Sequence, residues 1–220
     1  PVLGCFLLIL PFGDPSLWRL AYFDQQLSAA EQERILGYYS RLVQRHLYVH
    51  GQHKTFLSKN PSFTPMMDGL RRHFPDARFI GCVRNPARSV PSQISAILVG
   101  ARLFSARVDS DWWREGLSEM LRYYYRRLLA DLPAMAPHQA RLVPLESIAD
   151  CPLEGIQSLY RQFGLLMHRD YRARLVIENE KARAYRSGHG YSSKSLGVCE
   201  AHLAQRFDFV FDALSYPRPG

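Results

Sequence analysis

The sequence predicts an α/β fold with a central parallel sheet and helices on its faces. Three observations lead there. Thr55–Ser58, Arg78–Val83 and Arg141–Leu145 are short apolar runs of strand length. Apolar residues recur at helical spacing in the segments between them. Strands that alternate with helices pair in parallel, because each crossover helix carries the chain back to the end where the previous strand began.

The elements follow in order. Ser28-Ala29-Ala30-Glu31 reads as a capping box and opens a helix to about His50, with Ile35, Leu36, Tyr39, Leu42, Val43 and Leu47 on its apolar face. Gly51 stops it. After the Thr55–Ser58 strand, Thr64-Pro65 reads as an N-cap with proline at the first helical position. That helix carries Met66, Met67, Leu70 and Phe74 and ends at Pro75. The run over Arg78–Val83 suits a strand buried on both faces, with Cys82 as one small apolar member. A helix from Pro86 to about Leu98 follows, bent by Pro91. A long helix spans Asp111–Leu132, and the third strand is Arg141–Leu145. Helices over Leu153–Phe163 and Asp170–Arg183, a Gly/Ser-rich loop at Ser187–Gly197 and a helix over Glu200–Leu214 complete the chain.

The chain has 220 residues, of which 47% are hydrophobic, so a sizeable core is expected in one large α/β domain, or at most two small ones. The formal charge of +8 favours an anionic partner. A nucleic-acid reading needs a recognisable module, and no helix-turn-helix, zinc spacing or RNA-binding aromatic pattern is present. The four cysteines form no CxxC pair, which argues against a metal knuckle. No Asn-x-Ser/Thr acceptor occurs, which leans towards a cytoplasmic protein over a secreted one. The opening PVLGCFLLILPF is too short to span a bilayer and lacks the features of a signal peptide.

Two strands end in fixed charge. Arg84 follows FIGCV, and Lys59 follows TFLS. Parallel sheets bind ligands at the carboxyl ends of their strands, and arginine's planar fork suits phosphate. The helix after Asn85-Pro86 is expected to add free backbone N–H groups and a positive dipole end, with the Ser89 and Ser92 hydroxyls nearby. Set against this, Arg84 as the partner of a carboxylate and the serines as helix caps are equally compatible with the sequence. Lys59, taken alone, reads as a solvated lysine at a loop start. As a functional residue it stabilises charge on a leaving oxygen.

LSKNPSFTPMMDGLRRHFPDARFIGCVRNPARSVPS resembles the core of the sulfotransferases that use 3′-phosphoadenosine 5′-phosphosulfate, PAPS. The shared marks are K-x-P, FPDA-F, R-[DN]-P and a serine eight positions after the arginine. Residues 141–152 resemble the family's strand and E-D-L-x-x-x-P turn, and residues 188–197 its late H-x-Y-S-L-x-x-x-G-L loop. The resemblance implies a three-layer α/β/α fold related to P-loop NTPases. It places Arg84 and Ser92 on the 3′-phosphate and Lys59 at the sulfuryl group or bridging oxygen. Ser187, Gly188, His189 and Tyr191 fall in the loop that covers the nucleotide. PAPS is then the co-substrate and adenosine 3′,5′-bisphosphate (PAP) the product, with no metal required. The acceptor is a small-molecule, carbohydrate or lipid hydroxyl, or less often an amine. A eukaryotic source would move the expected location to the Golgi lumen.

The sequence departs from the family pattern in three places. The family's N-terminal phosphate-binding loop, a P-[KR]-S/T-G-T-like turn, has no counterpart in PVLGCFLLILPFGDP, so the expectation is a single domain over residues 1–220 that begins partway through a longer protein. Phe63 stands where members often carry a histidine, and Leu145 where others carry an adenine-facing tyrosine. The base that takes the acceptor's proton is therefore open among His50, His53, His189 and a residue upstream. His46 and His50 share a helix face without a third metal ligand. Two rivals stand beside the transferase: a kinase-like nucleotide enzyme and a non-catalytic nucleotide-binding module. WWREGLSEMLRYYYRRLL places Trp112, Leu117, Met120, Leu121, Tyr124 and Leu128 at core spacing. Its arginines form a solvated face or one wall of an acceptor cleft.

Overall fold

Ser28 caps the first long helix as its sequence requires. Its side chain accepts from the Glu31 amide, and the Glu31 carboxylate accepts from the Ser28 backbone N–H at 2.9 Å. The computed structural model describes residues 18–105, 107–184 and 196–219. They form α1 (Phe23–Gln26), α2 (Ala29–His50), α3 (Met67–His73), β1 (Phe79–Val83), α4 (Pro86–Phe104), α5 (Ser110–Ala134), β2 (Ala140–Pro144), α6 (Leu145–Asp150), α7 (Pro152–Gln162), α8 (Arg169–Ala184), α9 (Glu200–Arg206) and α10 (Asp208–Leu214). Two compact units result. One holds the described residues up to Ala77 with the segment from Gly100 to Val108, and the other Arg78–Val99 and the described residues from Asp109 onward.

In the first unit α2 buries Leu36 and Val43, and Phe23, Met66, Met67 and Leu70 are buried in the same unit. Tyr39 meets Phe63 and Phe74 edge-on, at centroid distances of 5.0 and 5.9 Å. His73 ties α3 to α2 through Ser40 at 3.2 Å and Glu33 at 3.0 Å. Gly51 ends α2 at φ 122°, a conformation that side chains other than glycine rarely adopt.

Two expectations for this unit are corrected. Thr55–Ser58 is irregular, with Leu57 87% exposed. A strand needs a neighbour for its backbone groups, and no described strand lies beside it. The helix start also moves. Asn60, not Thr64, accepts from a backbone amide (Ser62, 3.1 Å), and a 3₁₀ turn, Pro61–Met66, leads into α3. The Thr64 hydroxyl donates instead to the Pro61 carbonyl oxygen at 2.9 Å.

The second unit is the α/β part. β1 and β2 pair in parallel, with Gly81 opposite Leu142 and Val83 opposite Pro144. α5 covers one face at Gly81, where an added Cβ would collide with Leu132 and crowd Leu128. On the other face Val143 packs with Leu159 and Phe163 of the α7 region, and Arg141 donates to the Ser158 hydroxyl at 2.7 Å. Helices therefore lie on both sides of the parallel pair, α5 against Gly81 of β1 and α7 against Val143 of β2. β1 is buried on one face only: Gly81 and Val83 are buried, whereas Ile80 and Cys82 are exposed. Its continuous apolar run had suggested burial on both.

The long helix α5 buries Trp113, Leu117, Met120, Tyr124, Tyr125 and Leu132, while Trp112 is 39% exposed. Arg122 pairs with Glu119, Arg127 with Asp131, and Arg126 lies over the Phe209 ring at 5.2 Å. These partners account for the arginine face within the fold. α4 continues through Pro91 to Phe104, and the expected last helix is split at Phe207 into α9 and α10.

Candidate functional site

Arg84 follows the last residue of β1, at the carboxyl end of the sheet. It is exposed, and no described residue hydrogen-bonds or ion-pairs with its side chain. The carboxylate partner that the sequence left open is therefore absent among the described residues.

Side chains from three other segments approach the backbone on either side. The one proton of the Tyr216 hydroxyl goes to Glu146 Oε2 at 2.9 Å, and the same hydroxyl lies 3.2 Å from the Val83 carbonyl oxygen. The Tyr125 hydroxyl donates to the Arg84 carbonyl oxygen at 2.5 Å. The Asn85 N–H donates to Glu146 Oε1 at 3.2 Å. Asn85 is itself buried; its Nδ2 donates to the Pro217 carbonyl oxygen at 3.3 Å, and its Oδ1 accepts from the Ala87 N–H at 2.9 Å. Glu146 arrives here because of the register: Pro144 lies beside Val83, so the residue two beyond Pro144 emerges beside the residue two beyond Val83.

Asn85 is thus the cap of α4, with Pro86 at the first helical position. That arrangement corrects one expectation. Pro86 has no N–H, the Ala87 N–H is capped, and the Arg88 and Ser89 N–H groups both donate to the Asn85 carbonyl oxygen, at 2.9 and 3.0 Å. The helix end offers a dipole rather than a nest of free amides. Ser89 is also engaged. Its oxygen lies 2.8 Å from the Tyr125 hydroxyl, and because the single Tyr125 proton goes to Arg84, Ser89 is the donor. Ser92 is half-buried, and no described residue bonds to its hydroxyl. Arg88 is exposed and shares a helix face with Ser92.

Both tyrosines keep their protons firmly. Burial pushes Tyr125 up to about 12, with Ser89 and Arg84 pulling the other way. Burial raises Tyr216 as well, followed by its hydrogen bond to Glu146 Oε2 at 2.9 Å and the charge of that carboxylate. Neither group ionises near neutrality, so both remain donors.

Lys59 belongs to the first unit. It is exposed, precedes the Asn60 cap and does not end a strand. His50 ends α2, with its ring 4.4 Å from His46; His53 lies in the exposed turn beyond Gly51. Ser187, Gly188, His189 and Tyr191 lie outside the described residues. No group of three or more His, Cys, Asp or Glu side chains among the described residues is placed to hold a metal ion.

Sequence reasoning singled out Arg84 and Ser92 but not Tyr125, Glu146 or Tyr216. Glu146 had a signal, since a carboxylate just past one parallel strand faces the amides just past its neighbour. Tyr125 was hidden in a run of three tyrosines, and Tyr216 sits in a tail with no motif.

A family model described as the sulfotransferase family matches residues 17–170. The chain belongs to the sulfotransferase family. No match was found among curated proteins or among solved structures. The matched span of this sulfotransferase includes Lys59, Arg84, Ser92, Tyr125 and Glu146, and stops well short of Tyr216. Membership assigns sulfuryl transfer as its general activity. No helix among the described residues of this sulfotransferase is long and apolar enough to cross a membrane.

Proposed function

We propose that this chain takes a sulfuryl group from PAPS and passes it to an acceptor hydroxyl, releasing PAP. One observation carries the reading: an exposed arginine with no partner among the described residues sits on a backbone held by Tyr125 and Glu146, with Tyr216 donating to Glu146. A free cation on a fixed support suits a doubly charged phosphate, because little ordering is left to occur on binding. In this reading Arg84 and Ser92 hold the 3′-phosphate. Ser92 lies seven residues beyond the cap, about 10 Å along α4, and the anion sits between it and Arg84. Arg88 lies on the same face and adds positive charge.

The acceptor oxygen attacks sulfur while the bond from sulfur to the 5′-phosphate oxygen breaks. Its electron pair leaves with PAP, and the acceptor proton goes to a base. Lys59 stabilises the charge that develops on the departing oxygen. The acceptor is a carbohydrate, lipid or other small alcohol, or an amine. The test is transfer of label from sulfur-labelled PAPS to a panel of such acceptors. Lys59→Ala is expected to lower turnover by roughly a hundredfold, in the range of a lost charge-stabilising group. Equal turnover in wild type and variant would remove the lysine from the mechanism.

A further inference from the structure

The anion site reaches beyond the span that marks the family. After α10 the chain turns through Ser215 at φ 52° and runs back over the end of β1. Two consecutive tail residues grip there. The Tyr216 hydroxyl donates to Glu146 Oε2 and lies 3.2 Å from the Val83 carbonyl oxygen, and the Pro217 carbonyl oxygen accepts from Asn85 Nδ2. Arg218 anchors the tail by pairing with Asp212 at 2.5 Å and lying over the Phe211 ring at 5.9 Å. The contacts fall on Val83 and Asn85, the residues immediately before and after Arg84. Glu146 links the two sides, since one of its oxygens takes Tyr216 and the other the Asn85 amide.

We infer that Tyr216, acting through Glu146, is a positioning residue that fixes the Arg84 corner for recognition of a nucleotide 3′-phosphate. The inference rests on the reading that Arg84 binds that phosphate. A carboxylate left alone beside the site would repel the ligand and tend to fold onto the arginine. With Asn85 and Tyr216 donating to its two oxygens, Glu146 stays off Arg84 and the guanidinium remains available.

The test uses the full chain and two nucleotides, PAP and adenosine 5′-monophosphate, which lacks the 3′-phosphate. Tyr216→Phe keeps the ring and removes only the hydroxyl. It is expected to weaken PAP roughly tenfold, the scale of one hydrogen bond, while leaving the monophosphate within about twofold. In an Arg84→Ala background the same change is expected to have no further effect on PAP. Amide exchange is expected to speed up at Asn85 in Tyr216→Phe and to stay unchanged in β2. Unchanged PAP binding in Tyr216→Phe, equal weakening of both nucleotides, or a full effect persisting without Arg84 would each overturn the positioning role. If Arg84→Ala alone leaves PAP binding intact, the phosphate reading fails and this role fails with it. If Arg84→Ala weakens PAP and Tyr216→Phe does not, only the positioning role fails.

Discussion

The Tyr125 hydroxyl sits 2.5 Å from the carbonyl oxygen of Arg84, so the buried core of α5 directly holds the residue that presents the exposed cation. Tyr125 also packs edge-on against Phe207 at 5.8 Å, which joins the same anchor to the C-terminal helices. Removing the hydroxyl leaves the Arg84 carbonyl oxygen without this donor. Tyr125→Phe is expected to cost about 1 kcal/mol in chemical denaturation at neutral pH.

The same residue predicts an alkaline limit. Its ordinary value is 10, and burial raises it to about 12 in the fold. A raised value means that the native state holds the proton more tightly. The resulting stability is complete below pH 10 and is lost as pH rises towards 12. Unfolding midpoints measured from pH 9 to 11.5 are expected to fall less steeply in Tyr125→Phe than in wild type. Parallel slopes would count against the buried, protonated tyrosine.

Glu31 predicts the opposite limit in the first unit. The Ser28 backbone and side-chain hydrogen bonds, then Arg19, lower its carboxyl from 4.5 to about 2. The contribution is present above pH 4.5 and disappears as pH falls to 2. Acid titration of Glu31→Gln is expected to lack that part of the loss.

Gly81 sets how closely α5 approaches β1. A methyl there meets Leu132, so Gly81→Ala is expected to destabilise by about 1–3 kcal/mol through overpacking. A thermal midpoint equal to wild type would show that Leu132 can move aside without cost.

Local signals were legible in the sequence wherever neighbours in the chain decide the outcome. The Ser28 box, the Gly51 stop and the Asn85-Pro86 boundary all depend on residues a few positions apart. The β1 and β2 runs were clear as apolar segments, and the family marks pointed to Arg84. Thr55–Ser58 failed because a strand is completed by its neighbour, which local composition does not report. The free amides expected at α4 failed for a subtler reason: the same Asn-Pro pair that starts the helix also consumes its first donors. The hydrogen bond of Tyr216 to Glu146 joins residues 70 positions apart, and nothing in the tail's composition announces it.

Calorimetric titration of PAP into the wild-type chain and into Arg84→Ala tests the central claim most directly. A bidentate charge-assisted contact is worth about 1.5–3 kcal/mol, so the variant is expected to bind roughly 10- to 150-fold more weakly. Equal affinity in the two proteins would contradict the assignment of the β1 corner as the 3′-phosphate site.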